Sequence, residues 1–135
     1  MSPQIELQVI RPRTLIRVKA EGALTVPTLQ RMFQGLLRID PEGSSDYLVD
    51  LRAGTYHLSF VDVQELIAAL EAPPPPQQGR IALLDHNRRQ HDTMRFFEES
   101  ALRKGLDVRA FRTFEEAVDW LMTPQEQGAP VPRVS

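Results

Sequence analysis

The densest run of side chains able to do chemistry is Asp85-His86-Asn87-Arg88-Arg89-Gln90-His91-Asp92. It directly follows Arg80-Ile81-Ala82-Leu83-Leu84, an apolar run of strand length, and in open α/β sheets ligands gather beyond the carboxyl ends of strands. Arg88 and Arg89 are candidates to hold an anion through charge-assisted hydrogen bonds. His86, His91 and Asp92 carry donors that a divalent metal accepts, and His57 with His86 and His91 is the set a metal-dependent hydrolase would need. The plainer account of the same run is a polar approach to a helix, with an N-cap and solvated arginines. A metal site also needs outer hydrogen-bond partners that spacing alone does not supply. The residues therefore assign no metal ligand, no cofactor and no catalytic group.

A second candidate is the loop Arg52-Ala53-Gly54-Thr55-Tyr56-His57-Leu58-Ser59, which also leaves an apolar run and enters a helix. The first turn of a helix presents free N–H groups and a positive dipole end, so it favours negative charge. A partner's carboxylate is one occupant and a phosphate on Ser59 is another, whereas the simpler role for Ser59 is an N-cap. Arg52, Thr55, Tyr56, His57 and Ser59 are the partner-binding candidates. Asp50, at the end of the preceding run, reads as a structural hydrogen-bonding residue rather than a general base. Phe96 and Phe97 read as core and rim rather than as a platform for stacking bases.

The elements that must position these loops follow from periodicity. Ile5, Leu7 and Val9 alternate with polar residues, as in a half-buried strand. Arg11-Pro12-Arg13 breaks that run, and Thr14 to Ala20 alternates again, so the pair reads as an antiparallel hairpin closed at Gly22. Leu29, Met32, Phe33, Leu36 and Leu37 then fall at helical spacing, behind Thr25 as N-cap and Pro27 in the first turn. Tyr47-Leu48-Val49-Asp50-Leu51 lacks clean alternation, as expected of a strand covered on both faces. Ser59 and Asp62 form a capping box ahead of Val63, Leu66, Ile67 and Leu70. That helix ends by Ala72, because Pro73-Pro74-Pro75-Pro76 extends as polyproline II. After the strand at residues 80–84, a helix carries Met94, Phe97 and Ala101, with Gly105 at its C′ position and Leu106 beside it. Val108, Ala110 and Phe111 form a last strand. Thr113 with Glu116 caps a final helix bearing Phe114, Ala117, Val118 and Leu121.

The order is ββαβαβαβα: an α/β domain with a mixed, mostly parallel sheet, an N-terminal antiparallel hairpin and helices packed on both faces. One domain spans residues 1–122, and residues 123–135 read as a disordered, polar, proline-containing tail. Of the 135 residues 41% are hydrophobic and 25% charged, a globular composition. The net charge of -2, with no basic stripe, weighs against nucleic acid as a partner. The absence of cysteine removes disulfides, thiolate catalysis and cysteine-ligated metals. No G-x-G-x-x-G, G-x-x-x-x-G-K-[ST] or G-x-S-x-G motif is present. With no signal peptide and no transmembrane segment in the sequence, the expectation is a cytoplasmic protein, a monomer or weak homodimer.

A hairpin followed by βα units over this length resembles the STAS domain, the fold of the SpoIIAA-type anti-sigma-factor antagonists. It resembles in particular the SpoIIAA-like group of small stand-alone bacterial proteins, which is also similar to the Sec14 lipid-binding fold. Tyr47 to Leu51 with its loop and helix, Arg80 to Leu84, and Val108 to Phe111 through Glu116 to Leu121 carry the likeness, which covers roughly Ile5 to Met122. In the antagonists an Asp-Ser-Ser-Gly segment at the loop-to-helix junction holds a serine that a partner kinase phosphorylates. The matching stretch here is Leu58-Ser59-Phe60-Val61, where only Ser59 keeps a hydroxyl, Phe60 stands at the phosphoacceptor and Val61 replaces the glycine. The resemblance implies a non-enzymatic regulatory module that binds a protein partner. Its Sec14 side implies, as the alternative, an apolar pocket between helix and sheet for a small molecule or lipid.

Overall fold

The structure, a computed structural model, describes residues 3–11, 15–39, 45–71, 79–85 and 87–123. The proline run 73–76, His86 and the tail after Thr123 lie outside them. Alternating apolar positions place β1 (Gln4–Arg11) and β2 (Leu15–Ala23) side by side, antiparallel, with Leu7 opposite Val18 and a register shift between Val9 and Arg11. The remaining long strands, β3 (Asp46–Asp50), β5 (Arg80–Leu84) and β6 (Asp107–Phe111), are parallel to β2 and extend the sheet in the order β1-β2-β3-β5-β6. Between β3 and β5 the sequence hides a sixth strand, β4 (Gly54–Thr55), which pairs with the end of β2. That pairing carries β2 beyond Gly22, which sits inside the strand at φ 88° rather than ending it.

Because each new parallel strand is added on the same side, right-handed crossovers must put the connecting helices on one face. α1 (Val26–Ile39), α2 (Phe60–Glu71) and α3 (His91–Arg103) accordingly pack side by side there. Their stripes, including Leu29, Phe33, Val63, Leu66, Met94 and Phe97, close over Ile16, Val18, Val49, Ile81 and Leu83. Among the described residues α4 (Phe114–Met122) is the helix on the opposite face, where Ala117 and Leu121 meet Leu48, Ala82 and Leu84. α4 packs on β3, β5 and β6, and β2 meets that layer through Leu15 and through Arg17 over the Phe114 ring.

The local signals form as their chemistry dictates. Ser59 and Asp62 make a reciprocal box: Ser59 N–H donates to the Asp62 carboxylate at 2.9 Å, and Asp62 N–H donates to Ser59 Oγ at 3.1 Å. Thr113 Oγ1 accepts from Glu116 N–H at 3.2 Å. Gly105 takes φ 83°, while its N–H bonds Leu102 O and Leu106 N–H bonds Ala101 O, a Schellman termination of α3. At the far end of α4 the cap comes from across the domain. Arg80, 7% exposed, donates to the carbonyls of Trp120, Leu121 and Thr123 at 2.7–2.9 Å and pairs with Asp46 at 3.5 Å. Its guanidinium lies 5.3 Å from the centre of the Trp120 ring.

The burial of β1 also differs from expectation. Both faces of the strand from Gln4 to Gln8 are exposed, Ile5 and Leu7 at 37% and 38%, because among the described residues β1 packs against β2 and no helix covers it. Alternation reported the strand correctly but not how far the helical layer reaches.

Two glycines give opposite expectations. A Cβ on Gly79 would overlap the Ser45 carbonyl oxygen, a backbone atom that cannot step aside, whereas Gly35 in α1 has nothing within 4 Å of that position. Thermal melts should show Gly79→Ala losing at least ~2 kcal/mol and Gly35→Ala gaining about 0.5–1 kcal/mol.

Candidate functional site

The parallel strands all end at one side of the sheet, so the loops after β3, β5 and β6 meet there. Asp50, the last residue of β3, is 3% exposed. Its Oδ1 accepts the Arg52 backbone N–H and Arg52 Nε, and its Oδ2 accepts Arg52 Nη2, each at 3.0 Å; Arg17 Nη2 stands 3.8 Å away. Burial alone would raise the Asp50 carboxyl, but the Arg52 hydrogen bonds and the charges of Arg52 and Arg17 outweigh it and hold the pKa below the ordinary value. A carboxylate so engaged is a poor base. Asp50 is a structural clamp that sets the start of the loop.

The end of the loop is fixed by residues from the other candidate run. Gln90 is buried: its Oε1 accepts the Leu58 N–H at 2.7 Å, and its Nε2 donates to Thr93 Oγ1 at 3.3 Å. Thr93 Oγ1 in turn donates to the Leu58 carbonyl at 3.4 Å. Both backbone polar groups of buried Leu58 are thereby satisfied by α3 and the 3-10 turn before it (Arg88–Gln90). The two polar runs of the sequence are thus one assembly, joined by a glutamine that looked like a solvated neighbour of arginines. Only a buried partner 32 positions away reveals its role.

The candidate residues scatter around this frame. Arg52 is committed to Asp50 and partly exposed; Thr55 and His57 are exposed, with Thr55 Oγ1 donating to Gly22 O at 3.4 Å. Ser59 is exposed and occupied as the cap of α2. Tyr56 differs from the surface contact expected of it: at 9% exposure it belongs to the main core cluster. No acceptor among the described residues meets its buried hydroxyl in hydrogen-bonding geometry, yet burial, and after it the nearby Asp85 carboxylate, pushes the phenol well above the ordinary value. Two residues that the sequence reading placed only as departures from a motif stand out instead. Phe60 and Val61, at the head of α2, are 52% and 63% exposed, and Phe60 stacks on Phe96 with centroids 4.5 Å apart. Phe97 is core and Phe96 partly buried rim, as the helical spacing indicates.

On the other side of the assembly, Arg88 and Arg89 are exposed, and Arg89 N–H caps onto Asn87 Oδ1 at 3.0 Å. His91 and Asp92 are exposed in the first turn of α3. Among the described residues no three His, Asp or Glu side chains converge as a metal site. An open cavity of about 760 Å3 runs between α3, the end of β6 and α4. Met94, Phe111 and Trp120 line it, but so do Asp85, Glu98 and Arg112. It is therefore a groove with charged walls rather than an apolar chamber under a helix. No helix among the described residues is long and apolar enough to cross a membrane.

The lowered pKa of Asp50 fixes the sign of a pH effect. Its contribution is complete above the unfolded carboxylate range, near pH 4, and disappears as pH falls through the lower folded value. Asp50→Asn should lose about 2 kcal/mol at pH 7, and chemical denaturation at falling pH should show the gap to wild type closing below about pH 4. For the core placement of Tyr56, Tyr56→Phe should be neutral or slightly stabilising, since it removes an unpaired hydroxyl. Tyr56→Ala should cost roughly 3–5 kcal/mol in the same measurement.

No family model matches the chain, and no curated protein matches it in sequence. Its fold, however, is found among solved structures. One is an uncharacterised DUF3478-family protein with a SpoIIAA-like fold from Shewanella loihica PV-4, at TM-score 0.56 and 17% identity, covering 89% of this chain and 94% of that one. A second is an anti-sigma factor antagonist from Mycobacterium paratuberculosis, at TM-score 0.58 and 15% identity, with coverage of 89% and 94%. A third is the Bacillus cell fate determinant SpoIIAA in its phosphorylated form, at TM-score 0.51 and 18% identity, covering 87% and 99%. On this likeness, which spans 87–89% of its length, the chain has the SpoIIAA-like, STAS-type fold.

Proposed function

We propose that this chain is a non-enzymatic regulatory module that binds a protein partner through the loop at residues 52–59 and the head of α2. The observation that carries this reading is the exposure of Phe60 and Val61 on a rigid support. Large apolar side chains presented together on a surface mark interaction sites more often than isolated ones do. Here the pair rides on a capped helix, stacked on Phe96 and set in place by the Gln90–Leu58 bond, so little ordering entropy is lost when a partner docks. Exposed Thr55, His57 and Ser59 supply a polar rim. The anti-sigma factor antagonists among the structural neighbours support a partner that is a protein. Ser59 is where a phosphate would act on this surface. Its hydroxyl is exposed at a helix N-terminus, and modification would set a new negative charge against Asp62 and disturb the cap.

A second reading, binding of a small molecule, has the groove in its favour, since about 760 Å3 lies within the usual range for ligand sites. Its charged walls favour a polar ligand over an acyl chain.

Affinity capture from the native cell, with mass spectrometry of partners and bound small molecules, separates the two. The double variant Phe60→Ser/Val61→Ser, and separately Ser59→Glu, should weaken partner capture at least tenfold, about 1.4 kcal/mol, with the double variant keeping the wild-type melting temperature. Undiminished capture by both would sink the proposed surface, and a small molecule recovered without a protein would move the function to the groove.

A further inference from the structure

The two edges of the sheet are treated differently. At β6 the backbone N–H of Ala110 donates to the Glu98 carboxylate of α3 at 2.7 Å, so a side chain occupies a donor that an incoming strand would need. β1 has no such cover. It is eight residues long, longer than any strand of the sheet but β2, and no strand pairs with its outer side among the described residues. Natural edges are blunted by proline, lysine, shortness, a bulge or a covering element; Gln4–Arg11 contains neither proline nor lysine, and its register shift lies between Val9 and Arg11, past the stretch Ile5 to Val9. Its only charged residues are Glu6 and Arg11.

The sequence of this strand is complementary to itself in one register. Pairing antiparallel about a twofold axis at Leu7 sets Leu7 opposite Leu7, Ile5 opposite Val9 and Glu6 opposite Gln8, all within the regular part of the strand. The row that carries Ile5, Leu7 and Val9 then meets only apolar residues, and no like charges face each other. Moving the axis to Glu6 would oppose two carboxylates, and moving it to Gln8 would run the pairing into the register shift between Val9 and Arg11. Since a slip of one residue exchanges faces, these are the neighbouring alternatives. We propose that β1 pairs with β1 of a second copy of this chain about Leu7, joining the two sheets into one and covering the exposed Ile5 and Leu7. The interface lies on a different strand from the proposed partner surface at α2 and does not depend on it.

Because the chain has no cysteine, single-cysteine variants report the register directly. Opposed residues of an antiparallel pair have Cα atoms about 4.5 or 5.5 Å apart, and both separations suit a disulfide. Under mild oxidation Leu7→Cys should cross-link to itself at least tenfold faster than Gln8→Cys, whose twin is displaced along the strand. Light scattering on the full chain should show the mass rising toward that of a dimer with concentration. Leu7→Lys, which sets two ammonium groups face to face, should remain monomeric with an unchanged melting temperature. A wild-type chain that stays monomeric at every concentration, or a Leu7→Cys variant no faster than Gln8→Cys, overturns the proposal.

Discussion

The handedness of the βα crossovers is the constraint on which this molecule depends. Adding β3, β5 and β6 always on the same side of β2, through right-handed connections, stacks three helices on one face and, among the described residues, leaves the other to α4. The same geometry brings every strand-to-helix loop to one end of the sheet. The Asp50–Arg52 clamp, the capping box of α2 and the Gln90–Leu58 bond are therefore near neighbours, although their residues span some forty positions. A doubly wound sheet that reversed direction midway would have opened a crevice between its halves. This sheet never reverses, and its surface chemistry falls on loops and helix ends instead.

What was legible in the sequence was what is decided locally. The Ser59–Asp62 and Thr113–Glu116 boxes and the Gly105–Leu106 termination formed as written, since a cap needs only residues three or four apart. The core stripes were readable in most positions, Leu29, Phe33, Val63, Leu66, Met94, Phe97, Ala117 and Leu121 being buried, but Phe114, expected on the stripe of α4, is 38% exposed. Features decided at long range were not readable. The role of Gln90 depends on a buried backbone group in another loop. The burial of Tyr56 depends on how that loop folds against the core. The exposure of Ile5 depends on where the helical layer stops. In each case the deciding neighbour is remote in sequence, and the polar or alternating pattern is the same for either outcome.

The candidate site shows the same division from the side of function. By position in the antagonist motif Ser59 is the surviving hydroxyl, and Phe60 and Val61 are departures. In the fold those departures are the residues that face solvent, while the serine is engaged in holding the helix start. Replacing small polar residues by large apolar ones at a helix head changes what the surface recognises without altering its support. On the proposed reading, a partner would meet apolar side chains there beside the Ser59 hydroxyl.

Arg80 joins the first residue of β5 to the last turn of α4. The carbonyls of Trp120, Leu121 and Thr123 acquire their donors from this residue of the central strand. Losing the Arg80 side chain would therefore unpin the last turn of α4 from the sheet, although the two lie forty positions apart in the sequence.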